Sequence, residues 1–136
     1  MRILFLDDMQ TRHNTFRDLV EDQRDLDLLI AYNASQAISY LGTDGCDIDQ
    51  AFLDHDLSEE DIMCEVGGAS RVPTGMTVVD HIVTMKAPPR QVIVHTCNGP
   101  AGDEMERRLK DAGIQVIRLP FPHLVHALRQ SKSNGS

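Results

Sequence analysis

Short apolar runs alternate with stretches of helical periodicity along the whole chain. Five runs, at 2–6, 27–31, 50–53, 91–94 and 115–119, are aliphatic or β-branched and too short for helices. An apolar run without polar alternation suits a strand covered on both faces, which is the situation in parallel sheets sandwiched by helices. The segments between them predict helices over 11–21, 34–41, 77–85, 101–112 and 122–130. Val78, Val79, Ile82 and Val83 form one stripe at helical spacing, and Gly113 stands where a left-handed residue would end the fourth helix. The alternation predicts a single α/β domain over 1–130 with a doubly wound, five-stranded parallel sheet. The polar residues 131–136 read as a frayed tail. The stretch 58–74, acidic and then Gly-rich, reads as a long loop after the third strand. It is either a lid or a solvated surface insertion.

Two of the runs end in carboxylates. The first leads into Asp7 and Asp8, and the third into Asp54, His55 and Asp56. The C-terminal ends of parallel strands share one rim of the sheet, so these four acids are expected to crowd one small site. Like charges that close raise each other's pKa, and the cluster persists at neutral pH only with a compensating proton or cation. Oxygen donors of this kind favour Mg2+ or Mn2+, and an added imidazole would tilt the choice toward Mn2+, iron or zinc.

The fourth run delivers His95, Thr96 and Asn98 to the same rim, and the fifth delivers Arg118, Leu119, Pro120 and Phe121. Strand alternation points His55 away from its acidic neighbours. It also lets only one of His95 and Thr96 face the site unless the chain turns there. His95 is read as functional, whereas His13, His81, His123 and His126 are read as packed or surface imidazoles. Gly99 opens a Gly-Pro-Ala-Gly turn into the fourth helix, where backbone N–H groups can hold an anion. Gly and Pro serve turn geometry alone in many such loops, but beside the acids this one points to a phosphate-sized ligand. Arg12 either reaches that ligand or pairs with an acid.

Composition narrows the function classes. A 136-residue chain buries enough surface, roughly 68–70%, to fold without staples. A net charge of −8 with no Trp and two Tyr argues against an extended nucleic-acid groove, which needs basic and aromatic surface. Three cysteines without Cys-x-x-Cys spacing imply neither a disulfide framework nor a zinc site. No secretory leader or membrane span is read in the sequence, and the expectation is a reducing, cytoplasmic setting.

An acidic pair after strand one, an Asp after strand three and a Thr after strand four resemble the receiver domains of response regulators. The combination Leu-Asp-Asp-x-x-x-Arg, Asp-His-Asp-Leu and His-Thr-x-Asn-x-x-x-Gly-x-x-Met is similar to the cyclic-phosphate processing receiver family. Here it falls on Asp7, Asp8 and Arg12, on Asp54, His55, Asp56 and Leu57, and on His95, Thr96, Asn98, Gly102 and Met105. The resemblance implies the flavodoxin-like strand order 2-1-3-4-5, and a glycine opening the third helix at Gly75. Leu119 stands where receivers carry a Lys that contacts an acyl phosphate, and Thr96 stands where members of the similar family commonly carry Ser.

The resemblance further implies a metal-dependent phosphoesterase acting on a cyclic phosphate or phosphate end of RNA or a nucleotide. Asp7, Asp8, Asp54 and Asp56 would hold Mg2+ or Mn2+. His95 or His55 would serve as general acid or base, and Asp54 would sit at the reacting centre. Thr96, Asn98, Gly99 and Arg12 would bind phosphate. The alternatives are a signalling receiver phosphorylated on Asp54, and a binding protein that captures a phosphorylated ligand or partner without chemistry.

Overall fold

The computed structural model describes residues 1–42, 47–55, 74–97 and 99–134. Five strands, β1 (Arg2–Leu6), β2 (Asp27–Ala31), β3 (Gln50–Leu53), β4 (Gln91–Val94) and β5 (Gln115–Arg118), alternate with five helices. These are α1 (Gln10–Val20), α2 (Ala34–Leu41), α3 (Gly75–Ile82), α4 (Gly99–Asp111) and α5 (Phe121–Asn134). The strands form one parallel sheet in the order β2-β1-β3-β4-β5. This is the expected doubly wound architecture.

Sheet alternation divides the apolar residues between two layers. Leu4, Leu6, Ala51, Leu53, Val92 and Val94 pack under α2, α3 and α4 against Val78, Val79, Ile82, Met105 and Leu109. Ile3, Phe5, Phe52 and Ile93 pack on the opposite face with Phe16 and Val20 of α1 and Phe121 and Leu124 of α5. The inner strands β1, β3 and β4 are thus covered on both sides, which is why their sequences are continuously apolar.

Three helices differ from expectation by more than one residue at a boundary, and α3 runs over Gly75–Ile82 rather than 77–85, opening at the glycine that the resemblance implied. Helix α4 starts at Gly99 rather than Ala101, because Pro100 falls in the first turn, where its missing N–H costs nothing. Helix α5 continues to Asn134, beyond the expected end at 130, since Ser and Lys after Gln130 lower helix propensity only slightly. Gly113 follows α4 with a positive φ of 80°, as its place in the sequence suggested. Among the described residues no helix is long and apolar enough to cross a membrane. Asp56, Asn98, Cys46, Cys64 and all of the expected 58–74 loop except Thr74 lie outside the described residues.

Helix α3 is pinned directly to the strand that carries Asp54. Thr74 caps it, accepting from the Met76 N–H at 3.1 Å while its own N–H donates to Thr77 Oγ1 at 3.1 Å. The Gly75 N–H donates to the His55 carbonyl at 3.1 Å. A Cβ on Gly75 would lie 1.8 Å from the Asp54 carbonyl oxygen, so only glycine allows this approach. Gly75→Ala is therefore expected to cost about 3 kcal/mol of stability through backbone displacement. Urea unfolding of the two proteins checks this, and a loss below 0.5 kcal/mol, allowing about that much for surface changes, would contradict the close approach.

Candidate metal centre

Where β1 and β3 end, their continuing alternation brings Asp7 and Asp54 to the same side of the sheet as Phe5 and Phe52. Asp8, half-buried, joins them: one carboxylate oxygen from each of Asp7, Asp8 and Asp54 lies within 4.8 Å of the others. Among the described residues this is the one cluster whose donors approach closely enough to share an ion. Asp7 is fully buried and Asp54 is 4% exposed.

Each buried acid is held by backbone and side chain together. Asp7 Oδ1 accepts from the Met9 N–H at 2.9 Å, fixing the turn into α1, and Asp7 Oδ2 accepts from Arg12 Nη1 at 3.2 Å. Asp54 Oδ1 accepts from the His55 N–H at 2.8 Å, and the Thr96 side chain donates to the Asp54 carboxylate. Arg12 Nη1 is also 3.9 Å from Asp54 Oδ2. The guanidinium rests over the Phe121 ring, 5.0 Å from its centroid, a cation–π contact at the start of α5. Of the two outcomes open to Arg12, pairing with an acid is the one seen.

One cation does not offset the burial. The Asp54 pKa is pushed up to about 7, chiefly by burial and then by the charge on Asp7, with the His55 N–H, Arg12 and Thr96 pulling the other way. Burial raises Asp7 above the usual carboxylate range as well, against the Met9 N–H and Arg12.

His95 does not occupy the position expected of a general acid. It is fully buried, its ring stacks on Phe5 at 5.0 Å with 5° between planes, and Nε2 donates to the Leu6 carbonyl at 3.1 Å. Its Nδ1 then carries the lone pair, 3.8 Å from Asp7 Oδ2. Burial lowers its pKa to about 3, so the ring is neutral across the working range rather than titrating near neutrality. Both His95 and Thr96 nevertheless serve this corner, because the chain leaves strand geometry after Val94: His95 holds the Leu6 carbonyl behind Asp7 and Thr96 reaches Asp54. His55 is half-buried and contributes backbone groups to the site, its N–H to Asp54 and its carbonyl to Gly75. Gly99 is exposed at the first turn of α4, with nothing within 4 Å of an added Cβ.

His13, read from the sequence as a packed or surface residue, is packed with a specific job. Fully buried, it donates from Nε2 to the Asp7 carbonyl at 2.5 Å and stacks on Tyr32 at 4.3 Å. The spacing of His13, Phe16 and Val20 along one buried face of α1 was the available signal. Of the remaining motif residues, Met105 fills the core, and Gly102 leaves room for Arg118, whose Cζ would be 2.6 Å from an added Cβ. Leu119 packs into the apolar layer of Phe5 and Phe121, so the fifth strand brings no ammonium to the acids.

The sequence profile of the cyclic-phosphate processing receiver domain matches residues 2–111, most of the chain. The chain belongs to that family. No curated sequence matches this receiver domain. Its fold is that of response-regulator receivers. The non-phosphorylated HemR receiver domain from Leptospira biflexa is 20% identical, with a TM-score of 0.65 over 97% of this chain and 91% of that one. The N-terminal domain of an uncharacterized protein (WS1339) from Wolinella succinogenes is 15% identical, with a TM-score of 0.66 over 98% and 91%. The Mn(2+)-bound form of response regulator Rcp1 is 13% identical, with a TM-score of 0.61 over 97% and 91%.

The raised Asp54 pKa fixes the sign of a pH effect. Between the unfolded value of 3.8 and about 7 the folded state binds more protons than the unfolded chain. The stabilisation is therefore complete below the unfolded value and is lost as pH rises through the folded one. In chelator, stability is expected to fall from pH 4.5 to 7.5, with Asp54 contributing up to ~1.4 kcal/mol per pH unit. Urea midpoints of wild type and Asp54→Asn across that range check it. A slope unchanged by the substitution would place the titration elsewhere.

Proposed function

We propose that this receiver domain is a metal-dependent phosphoesterase acting on a cyclic phosphate or phosphate end of RNA or a nucleotide. The observation that carries the reading is the trio Asp7, Asp8 and Asp54, with oxygens within 4.8 Å of one another and Arg12 as the cation paired with it. The donor set fits a small, hard divalent ion: oxygen ligands only, two of them buried, with their negative charge incompletely balanced. Asp7, Asp8 and Asp54 would hold Mg2+ or Mn2+, which when bound polarises a phosphoryl oxygen and lowers the pKa of water.

The chain's own residues account for the rest. Met9 and His55 backbone N–H groups keep the Asp7 and Asp54 carboxylates from rotating. His95 and His13 fix the strand end behind them through the Leu6 and Asp7 carbonyls. Thr96 and Arg12 stand beside Asp54 and can donate to phosphate oxygens as charge grows on them. Protonation of the leaving sugar oxygen falls to His55, since His95 is sealed from solvent. Leu119 weighs against the signalling alternative, in which a Lys would contact phosphate on Asp54. The receiver fold itself favours that alternative.

Incubation with 2',3'-cyclic nucleotides and Mn2+ or Mg2+ should give ring opening that chelator abolishes and Asp54→Asn reduces at least ~100-fold. No turnover in either metal would sink the proposal. A lasting mass gain from acetyl phosphate, lost in Asp54→Ala, would put the signalling reading in its place.

A further inference from the structure

We infer that Arg12 is a built-in counter-ion which occupies the acid cluster in the metal-free protein, yields it to a divalent cation, and then grips the substrate phosphate. The inference rests on the metal-dependent reading of the site and adds how the site is loaded. Asp7 Oδ1 and Asp54 Oδ1 are each turned to a backbone N–H, at 2.9 and 2.8 Å. The two Oδ2 atoms are the ones Arg12 Nη1 approaches, at 3.2 and 3.9 Å, and the Thr96 hydroxyl also donates to the Asp54 carboxylate. A cation entering the trio competes with Arg12 for the same lone pairs.

The exchange favours the ion, because two positive charges answer three carboxylates better than one does. Arg12 stays close when displaced: its side chain is 24% exposed, it springs from the first turn of α1, and it lies over Phe121. A guanidinium has five donors in a planar fork that matches two oxygens of a phosphate, and only one nitrogen is engaged in the pairs described. Among the described residues no other Lys or Arg forms an ion pair with Asp7 or Asp54, and Leu119 lies in the apolar layer. Arg12 thus brings from α1 the positive charge that β5 does not supply. One residue acting as competitor to the metal and partner to the anion makes the order of binding metal first, phosphate second.

The two roles predict opposite effects of one substitution. At pH 8.5, Arg12→Ala should bind Mn2+ at least threefold more tightly than wild type, followed by electron paramagnetic resonance of the free ion. The Mn2+-loaded variant should bind orthovanadate, a tetrahedral phosphate mimic, at least tenfold more weakly. Arg12→Lys keeps the charge and loses the fork, so its Mn2+ affinity should stay within twofold while orthovanadate binding still falls. Weaker or unchanged Mn2+ binding in Arg12→Ala, or unchanged orthovanadate binding in both variants, overturns the inference and leaves the metal site standing. Absence of Mn2+ binding by the wild type overturns both.

Discussion

The constraint that organises this molecule is the removal of two ionisable carboxyls from water at one end of a parallel sheet. A buried charge is costly unless it is paired and hydrogen-bonded. Around Asp7 and Asp54 the chain assembles two backbone N–H groups, one hydroxyl and one guanidinium, each from a different short segment following a strand or within α1. The raised proton affinities show that this is still short of full compensation.

Behind the acids stands a column of rings. Phe5 stacks on His95 at 5.0 Å and on Phe16 at 4.3 Å, and meets His13 edge-on at 5.5 Å. Both imidazoles have one nitrogen bonded to a carbonyl of the strand end and one without a hydrogen-bond partner among the described residues. Burial lowers both pKa values, which favours the neutral form of each ring. They serve as rigid spacers between the sheet and α1.

Much of this was legible beforehand, and for identifiable reasons. Runs such as Ile3–Leu6 and Ala51–Leu53 announce strands covered on both faces, and the residues that follow them fall on one rim by topology alone. What periodicity cannot convey is depth. Nothing about His95 in one dimension distinguishes an imidazole at a surface from one sealed under Phe121; the answer depends on where α5 lies. The role of His13 was obscured in the same way, since a carbonyl acceptor six residues earlier leaves no trace in side-chain pattern. The start of α4 was misplaced because Gly-Pro reads equally as a turn and as a first helical turn.

The segment from Leu6 to His13 carries almost every one of these obligations at once: two carbonyls claimed by imidazoles, a carboxylate claimed by the Met9 N–H, and a guanidinium returning to that carboxylate one turn later. The Arg12 and His13 contacts depend on the exact count of residues between strand and helix. Inserting or deleting a single residue there would rotate α1 by about 100° relative to the strand, given 3.6 residues per turn, and would break the Arg12 and His13 contacts together. Loop length at this junction is therefore fixed by chemistry.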